Sequence, residues 1–241
     1  MAKVADKPLE PQTASSLRYE RKFHYANTPV ETIIQRVHNN AFGFHEIYYK
    51  RKVNNIYFDD GNYNFYKQNV SGVASRKKLR LRWYGDDTCK IEGPTLEVKK
   101  KMGEVGDKDS YKLKGISFDL GKQKPHEIQA ILLGETKELM SIRHSFETVH
   151  PTLLNTYERR YFLSFCGRYR ITVDYNQKFY NPNYITYQNS EIRINDTVLE
   201  LKYATQDDHE ARTVSQQIDA RLSKNSKYVT GINLLYHPQL L

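Results

Sequence analysis

Hydrophobic and polar residues alternate along most of the chain with the period of two that is typical of half-buried β-strands. The clearest example is RKKLRLRWYG (76–85), in which Lys78, Arg80 and Arg82 alternate with two leucines and a tryptophan. Successive side chains of a strand point to opposite faces, so this strand has a cationic face and an apolar face. The alternation predicts strands in the segments 17–26, 53–60, 74–85, 95–104, 109–118, 155–165, 169–176, 191–195 and 197–204.

Apolar residues at helical spacing interrupt this pattern in three segments, 28–41, 125–146 and 208–222. In the first of them Thr28 is expected to cap the helix, Pro29 suits the first helical position and Glu31 completes a capping box. About eight strands with helices gathered between them predict an α+β fold with a mainly antiparallel sheet or barrel.

Composition bounds the class of protein. The 241 residues have a formal net charge of +9, which favours an anionic partner such as phosphate, nucleic acid or a lipid headgroup. We predict a disordered tail over residues 1–15 and a single domain over 16–241. The two cysteines, Cys89 and Cys166, indicate neither a disulfide framework nor a zinc site. No apolar run is long enough for a membrane span, and we expect a cytoplasmic protein.

The polar faces of several predicted strands carry mostly positive charge. A solvated outer sheet face is the commonest cause of such alternation, but solvated faces usually mix both signs, and facing like charges destabilise a sheet. The acids on these faces are Glu20, Glu97, Asp174 and Glu200. The cations on the same faces are Lys22, Arg80, Arg82, Lys99, Arg159, Arg170 and Lys202.

So many cations on one surface require a polyanion to compensate them. If the strands are neighbours and the helices cover their apolar faces from outside, the charged faces line a wet tunnel in an antiparallel β-barrel. A carboxylate in such a channel would be a natural ligand for Mg²⁺ or Mn²⁺.

The motifs that carry these charges resemble a known family in sequence order. They are ERKFHYANT, NNIYFDDGNYNFY, LRLRWYG, LEVKKK, NTYERRYF, RITVDYN, VLELKYA and NSKYVTG, and they span residue 18 to about residue 233. This set resembles the catalytic domain of the vacuolar transporter chaperone (VTC) complex, a polyphosphate polymerase of the triphosphate tunnel metalloenzyme superfamily.

The resemblance implies a triphosphate tunnel fold with helices packed outside, and it assigns residues by motif. Arg80, Arg82, Arg159 and Arg170 would hold a triphosphate, Glu200 would bind the metal, and a lysine after the LEVKK strand would be Lys108 or Lys112. The further residues implied at the site are Lys22, Lys99, Tyr157, Lys202, Ser226 and Lys227.

The sequence departs from the superfamily at its first motif. An ExExK triad is common there, whereas this chain has Arg18, Glu20 and Lys22, which leaves Glu200 as the main candidate for a metal ligand. Glu200 could instead only pair with Lys202 or a neighbouring arginine, and Tyr157 could simply be packed. The eukaryotic polymerases also carry a domain that senses inositol phosphates and membrane helices, and this sequence shows neither.

The function expected from the resemblance is transfer of the ATP γ-phosphate to a growing polyphosphate chain with Mn²⁺ or Mg²⁺. Two alternatives stay open: a tripolyphosphatase or nucleoside triphosphatase of the same fold, and a non-catalytic module that binds polyphosphate or RNA. The expected partners are ATP and inorganic polyphosphate, with no specific nucleic acid. No membrane segment is expected in the chain itself, while a membrane partner and the oligomeric state stay open.

Overall fold

The computed structural model describes residues 18–102, 105–135 and 140–236. The predicted tail, residues 1–15, therefore lies outside the described residues, and its disorder stays a prediction. The described strands are β1 (Arg18–Tyr25), β2 (His45–Asp59), β3 (Ser75–Tyr84), β4 (Lys90–Glu92), β5 (Thr95–Met102), β6 (Val105–Lys112), β7 (Ser117–Asp119), β8 (His150–Leu163), β9 (Arg170–Tyr180), β10 (Ile192–Ile194) and β11 (Thr197–Ala204). The described helices are α1 (Val30–His38), α2 (Asn64–Ser71), α3 (Pro125–Glu135), α4 (Met140–Glu147), α5 (Asp208–Gln216) and α6 (Lys227–Tyr236).

One large antiparallel sheet dominates the fold, which confirms the predicted α+β class. Its strand order is β1-β11-β9-β8-β2-β3-β5-β6, with β10 attached to β9, while β4 and β7 form a separate two-stranded ribbon. The sheet curves until β1 and β6, the strands at its two ends, approach each other.

Side chains and a short loop close the gap between the two end strands, since no backbone pairing between β1 and β6 is found in the described residues. Nζ of Lys99 on β5 lies 2.7 Å from Oε2 of Glu20 on β1. The segment 222–226 runs along the free edge of β1, where the amide of Ser223 donates a 2.8 Å hydrogen bond to the carbonyl oxygen of Lys22. The sheet is therefore strongly curved and barrel-like without complete closure by backbone hydrogen bonds.

Helices cover the apolar convex face of the sheet. Ile33, Ile34 and Val37 of α1 are buried in one core with residues of β1, β9 and β11, and α5 joins the same core. Helices α3 and α4 pack in a second core with apolar residues of β2, β3 and β5. Because the apolar residues of each strand are used on this side, the charged residues of the same strands face the concave side.

Helix α6 is the exception, because it packs against the concave face at one end of the sheet. Tyr228 and Ile232 are buried there against Tyr57, Leu153 and Phe179. Gly231 permits this close approach, since a Cβ at that position would lie 2.5 Å from Leu153 Cδ2 and 2.7 Å from Phe179 Cδ1. Helix α6 therefore fills the concave side next to the end of β2 that finishes at Asp59.

Several local expectations need correction. Helix α1 begins at Val30 with Pro29 as its N-cap and makes no side-chain capping bond, because the Thr28 hydroxyl donates to the carbonyl oxygen of Ala26 instead. Strand β2 begins at His45, well before the predicted 53–60, and α2 and α6 were not predicted as helices. None of the described helices has the length and apolarity needed to span a bilayer.

Candidate phosphate-binding cavity

The concave face encloses a cavity of about 340 Å³ between the curved sheet and the N-terminal end of α6. Its carboxylates are Glu20, Asp174 and Glu200. Its cationic residues outnumber them and are Arg18, Lys22, Lys78, Arg80, Arg82, Lys99, Lys108, Arg159, Lys202 and Lys227. Ten cations against three carboxylates leave a strongly positive cavity, which favours a polyanionic ligand.

Glu97 organises the cations of β3. This carboxylate is 3% exposed, accepts a 2.5 Å hydrogen bond from Nε of Arg80 and a 2.9 Å bond from Nζ of Lys108, and lies 3.7 Å from Nη1 of Arg82. Burial opposes its ionisation, but Arg80, Arg82 and Lys108 outweigh burial and hold the pKa of Glu97 well below its ordinary value. The acid therefore stays charged and fixes two guanidinium groups at the cavity wall.

Asp174 holds the cationic side chains of β8 and α6 in the same way. Its two carboxylate oxygens accept bonds of 2.5 and 2.7 Å from Arg159, and Oδ2 also accepts a 2.5 Å bond from Nζ of Lys227. The ring of Tyr157 lies under this group, 4.6 Å from Nζ of Lys227 and 5.3 Å from the guanidinium carbon of Arg159. The Tyr157 hydroxyl accepts a 3.3 Å bond from Nη2 of Arg82, so its ring joins the two arginine groups.

Two further carboxylates lie on neighbouring strands, Glu20 on β1 and Glu200 on β11. Lys22 is the register partner of Glu200, and Glu20 is the register partner of Lys202. Glu200 lies 3.2 Å from Nζ of Lys202 and 3.6 Å from Nζ of Lys22. Burial raises the pKa of Glu200, but Lys202, Lys22 and Lys99 together hold that pKa well below its ordinary value. Glu200 does pair with Lys202, and its carboxylate also lines the cavity.

Lys78 differs from the other cavity lysines, because no ion pair to it is found in the described part of the chain. Its Nζ donates a 2.8 Å bond to the hydroxyl of Ser226, the residue before α6. Burial, and next the charges of Lys22, Lys99, Arg80 and Arg76, hold the pKa of Lys78 well below its ordinary value. The group lacks a counter-charge that an anionic ligand would supply.

The N-terminal end of α6 adds to the positive character of the cavity. Ser226 and Lys227 both line the cavity, and the amide of Val229 lies 3.4 Å from the Ser226 hydroxyl oxygen. The free amides of a first helical turn carry partial positive charge and stabilise nearby anions. Because the Val229 amide already donates to Ser226, this end of α6 would stabilise a bound phosphate through its partial positive charge and through the ammonium group of Lys227.

The carboxylates of the cavity fit a divalent cation that substrate phosphates also coordinate, rather than one held by protein groups alone. No group of three or more His, Cys, Asp or Glu side chains that could hold a metal ion occurs among the described residues. Burial and next the charge of Glu200 oppose ionisation of Glu20, so the two carboxylates lie near each other, and the buried Thr172 hydroxyl, whose residue pairs with Glu200, has no hydrogen-bond partner among the described residues. Mg²⁺ is commonly held by one or two carboxylates together with substrate phosphates and water, and this set fits that kind of site.

Most residues assigned from the sequence lie together at the cavity. The exceptions are Arg170, which is exposed at the first residue of β9, and Lys112, which is exposed at the last residue of β6 opposite Thr95. Of the two candidate lysines, Lys108 is the one that lines the cavity. The predicted site residues that line the cavity are Lys22, Arg80, Arg82, Lys99, Lys108, Tyr157, Arg159, Glu200, Lys202, Ser226 and Lys227.

Further cavity residues were not assigned from the sequence. Lys78 shares a strand face with Arg80, and the same alternation would have identified it. Glu20 and Arg18 share a face with Lys22 in the same way. Tyr57 carries no such signal, since its role depends on the contact of its hydroxyl with Nη1 of Arg80 at 3.4 Å.

The chain is similar to known proteins both in sequence and in fold. Residues 17–236 match the family model described as VTC domain, and a search of curated proteins by sequence found no match. A candidate adenylate cyclase from Bacillus halodurans is similar in structure, with 15% identity, coverage of 88% of this chain and 95% of that chain, and a TM-score of 0.48.

Two other solved structures are also similar, the second of them more weakly. A candidate adenylate cyclase from Vibrio parahaemolyticus shares 14% identity over 87% of this chain and 95% of that chain, with a TM-score of 0.48. An RNA triphosphatase from S. pombe shares 12% identity over 94% of this chain and 81% of that chain, with a TM-score of 0.31.

Proposed function

The chain belongs to the VTC domain family, and we propose that it is a polyphosphate polymerase that transfers the γ-phosphate of ATP to a growing polyphosphate chain and releases ADP. The observation that carries this proposal is that ten cationic side chains and only three carboxylates line one cavity. Phosphoryl transfer depends mainly on positioning and on neutralising phosphate charge, and such a cavity supplies both.

The roles of the arginines follow from their fixed geometry. Arg80, Arg82 and Arg159 are held by buried acids, so their guanidinium groups are oriented before a ligand binds. Each planar guanidinium can donate two parallel hydrogen bonds to phosphate oxygens. We assign these three residues to the triphosphate of ATP.

The lysines act as more compact charges. Lys22, Lys99 and Lys227 line the same cavity on β1, β5 and α6. Their ammonium groups would stabilise the charge on the transferring phosphoryl group, which lies between the leaving ADP and the acceptor. Lys108, Lys202 and Ser226 would contact the neighbouring phosphates, and Tyr157 would position Arg82 and Arg159.

The carboxylates of the site favour a phosphate acceptor over water. Burial raises the pKa of Glu20, Glu97, Asp174 and Glu200, but neighbouring lysines and arginines hold each pKa below its ordinary value. A carboxylate with a low pKa is a weak general base near neutral pH. A terminal phosphate is already ionised there and needs no base, so this environment supports the polymerase over the triphosphatase.

A divalent cation completes the proposed reaction. Glu200, together with Glu20 and the hydroxyl of Thr172, would hold Mn²⁺ or Mg²⁺ next to the phosphates. When bound, such an ion neutralises phosphate oxygens and stabilises charge in the transition state. Lys22 and Lys202 already contact Glu200 and keep its carboxylate ionised and in place.

The decisive experiment is to incubate the purified protein with ATP and either Mn²⁺ or Mg²⁺ and to separate the products. We expect one molecule of ADP for each phosphate unit that is added to long polyphosphate. ADP with orthophosphate alone would instead identify a triphosphatase. Binding of polyphosphate without any turnover of ATP would contradict both enzymatic functions and leave a binding module.

A further inference from the structure

Three tyrosine rings surround one guanidinium group outside the cavity just described. The guanidinium carbon of Arg51 lies 5.0 Å from the ring centroid of Tyr48, 5.8 Å from that of Tyr84 and 5.7 Å from that of Tyr161. The rings of Tyr48 and Tyr161 also contact each other edge to face, with centroids 5.6 Å apart. We call Arg51, Tyr48, Tyr84 and Tyr161 the tyrosine cluster.

The tyrosine cluster lies on the concave face and continues the cavity. Arg51 is the direct register partner of the cavity residue Arg159, and opposite residues of an antiparallel pair point to the same side. Tyr84 follows the cavity residue Arg82 by two positions on β3, and Tyr161 follows Arg159 by two positions on β8. The cluster is therefore the next layer of side chains beyond Arg82 and Arg159.

Helix α6 lies towards the other end of β2. It packs on Tyr57, whereas Arg51 is two strand positions before Val53, at the half of β2 that begins at His45. Tyr48 and Tyr84 are 41% and 44% exposed, so the cluster is open to solvent. A chain too long for the cavity would leave it on the side away from α6, and it would pass the cluster there.

The charge of Arg51 has no acidic partner within the described part of the chain. Its neighbours are paired, since Lys50 lies 2.9 Å from Glu158 and Arg160 lies 2.7 Å from Glu46. Aromatic rings against the faces of a guanidinium hold the group in place and leave its in-plane N–H donors available. Such donors match the oxygens of a phosphate group.

We propose that Arg51, held by Tyr48, Tyr84 and Tyr161, is a binding subsite for phosphate units of a polyphosphate chain that extends beyond the cavity. This inference rests on the proposed function, because it takes polyphosphate as the bound chain. A nucleobase is the less favoured occupant, since Arg51 already occupies the space between the rings.

The test compares long-chain polyphosphate, tripolyphosphate and ATP as ligands, with binding measured by calorimetry at fixed ionic strength. In Arg51→Met we expect affinity for long-chain polyphosphate to fall roughly ten- to a hundredfold, the size of one charge-assisted hydrogen bond, with no change for the two shorter ligands. Arg51→Lys keeps the charge and should recover part of the loss. Arg143→Met removes one partly exposed arginine from α4, outside the sheet, and serves as the matched control.

Other outcomes would overturn the inference. Equal affinity of Arg51→Met and the unmodified protein for long-chain polyphosphate would show that the cluster is only structural. A loss confined to ATP would identify a nucleobase subsite, and an equal loss for all three ligands would indicate a disturbed cavity, which circular dichroism and thermal unfolding would check. If the unmodified protein binds the chains but makes no polyphosphate, the proposed polymerase fails while the subsite can still be confirmed.

Discussion

Asp174 accepts two hydrogen bonds from Arg159 across the β8–β9 pair, at 2.5 and 2.7 Å, and its carboxylate is 2% exposed. Burial opposes ionisation, but Arg159 and Lys227 hold the pKa of Asp174 at about 2, below its ordinary value of 3.8. Because the pKa is lower in the folded chain, ionised Asp174 stabilises the fold above about pH 3.8, and that contribution is lost as the pH falls through about 2.

The first prediction is therefore that the free energy of unfolding falls by about 2 kcal/mol in this window through Asp174 alone. Urea unfolding between pH 5 and pH 2 measures it. In Asp174→Asn the protein should be less stable at pH 5 and its stability should depend less on pH. An equally steep dependence in that variant would show that Asp174 is not the responsible group.

The second prediction concerns Glu200. We expect Glu200→Gln to lower metal-dependent turnover of ATP at least tenfold, because a neutral amide is a weak ligand for Mn²⁺ or Mg²⁺. Turnover across a metal titration measures the effect, and circular dichroism checks the fold. Glu158→Gln, on the same sheet but outside the cavity, is the matched control. Unchanged turnover in Glu200→Gln would contradict a role in metal binding.

The third prediction concerns Arg80. We expect Arg80→Ala to weaken binding of tripolyphosphate by one to two orders of magnitude, since a hydrogen bond to a charged group contributes roughly 1.5–3 kcal/mol. Glu97 keeps Lys108 as a partner in this variant, so the carboxylate is not left unpaired. Isothermal titration calorimetry measures the affinity, with Arg143→Ala as the control. An unaltered affinity would indicate that the cationic face of β3 does not bind phosphate.

The fourth prediction concerns Lys78. Burial and next the cations Lys22, Lys99, Arg80 and Arg76 lower the pKa of Lys78, and a bound phosphate would oppose this effect and raise that pKa. The complex would therefore bind more protons than the free protein, and affinity should fall as the pH rises above the lowered pKa.

Calorimetry of tripolyphosphate binding in buffers of different ionisation enthalpy measures this proton uptake. We expect a smaller uptake in Lys78→Met, and in Lys78→Arg an affinity that stays nearly constant with pH because the guanidinium remains charged. Proton uptake equal in all three proteins would assign it to the ligand or to another lysine.

The fifth prediction concerns the close packing of α6 against the sheet at Gly231. A methyl group at Gly231 would meet Leu153 and Phe179 at 2.5–2.7 Å, so Gly231→Ala should destabilise the fold by about 1–3 kcal/mol. Gly134→Ala in α3 meets nothing within 4 Å and should be neutral or stabilising by up to about 1 kcal/mol. Chemical unfolding compares the two. Equal stability of both variants would show that α6 can shift without cost.

The alternation of residues was sufficient to place most of the cavity. Wherever one face of a strand is apolar and packed under helices, the other face is fixed by the period of two, and Lys22, Arg82 and Lys99 line the cavity for this reason. The same rule does not say where along a strand the cavity ends. Arg170 shares a face with Asp174, yet it lies at the first residue of β9 and is exposed.

Other elements depend on contacts that no local pattern contains. In α6, β-branched residues and Gly231 weaken the helical signal, and the helix is stabilised by packing on Leu153 and Phe179. The first half of β2 is exposed on both faces and so shows no alternation. The missing cap of α1 reflects a local competition, because the Thr28 hydroxyl finds the carbonyl oxygen of Ala26 instead.

The pairing of β1 with β11 also constrains how the protein is made. Arg18 pairs with Ala204 and Tyr25 with Thr197, so the first described strand has no β11 partner until the chain has been synthesised through Ala204. Pairings of such large sequence separation are slow to form and expose unpaired strand edges meanwhile. The cationic interior therefore cannot be completed before β11 is synthesised, and a nascent chain stopped before β11 would lack the wall that carries Glu200.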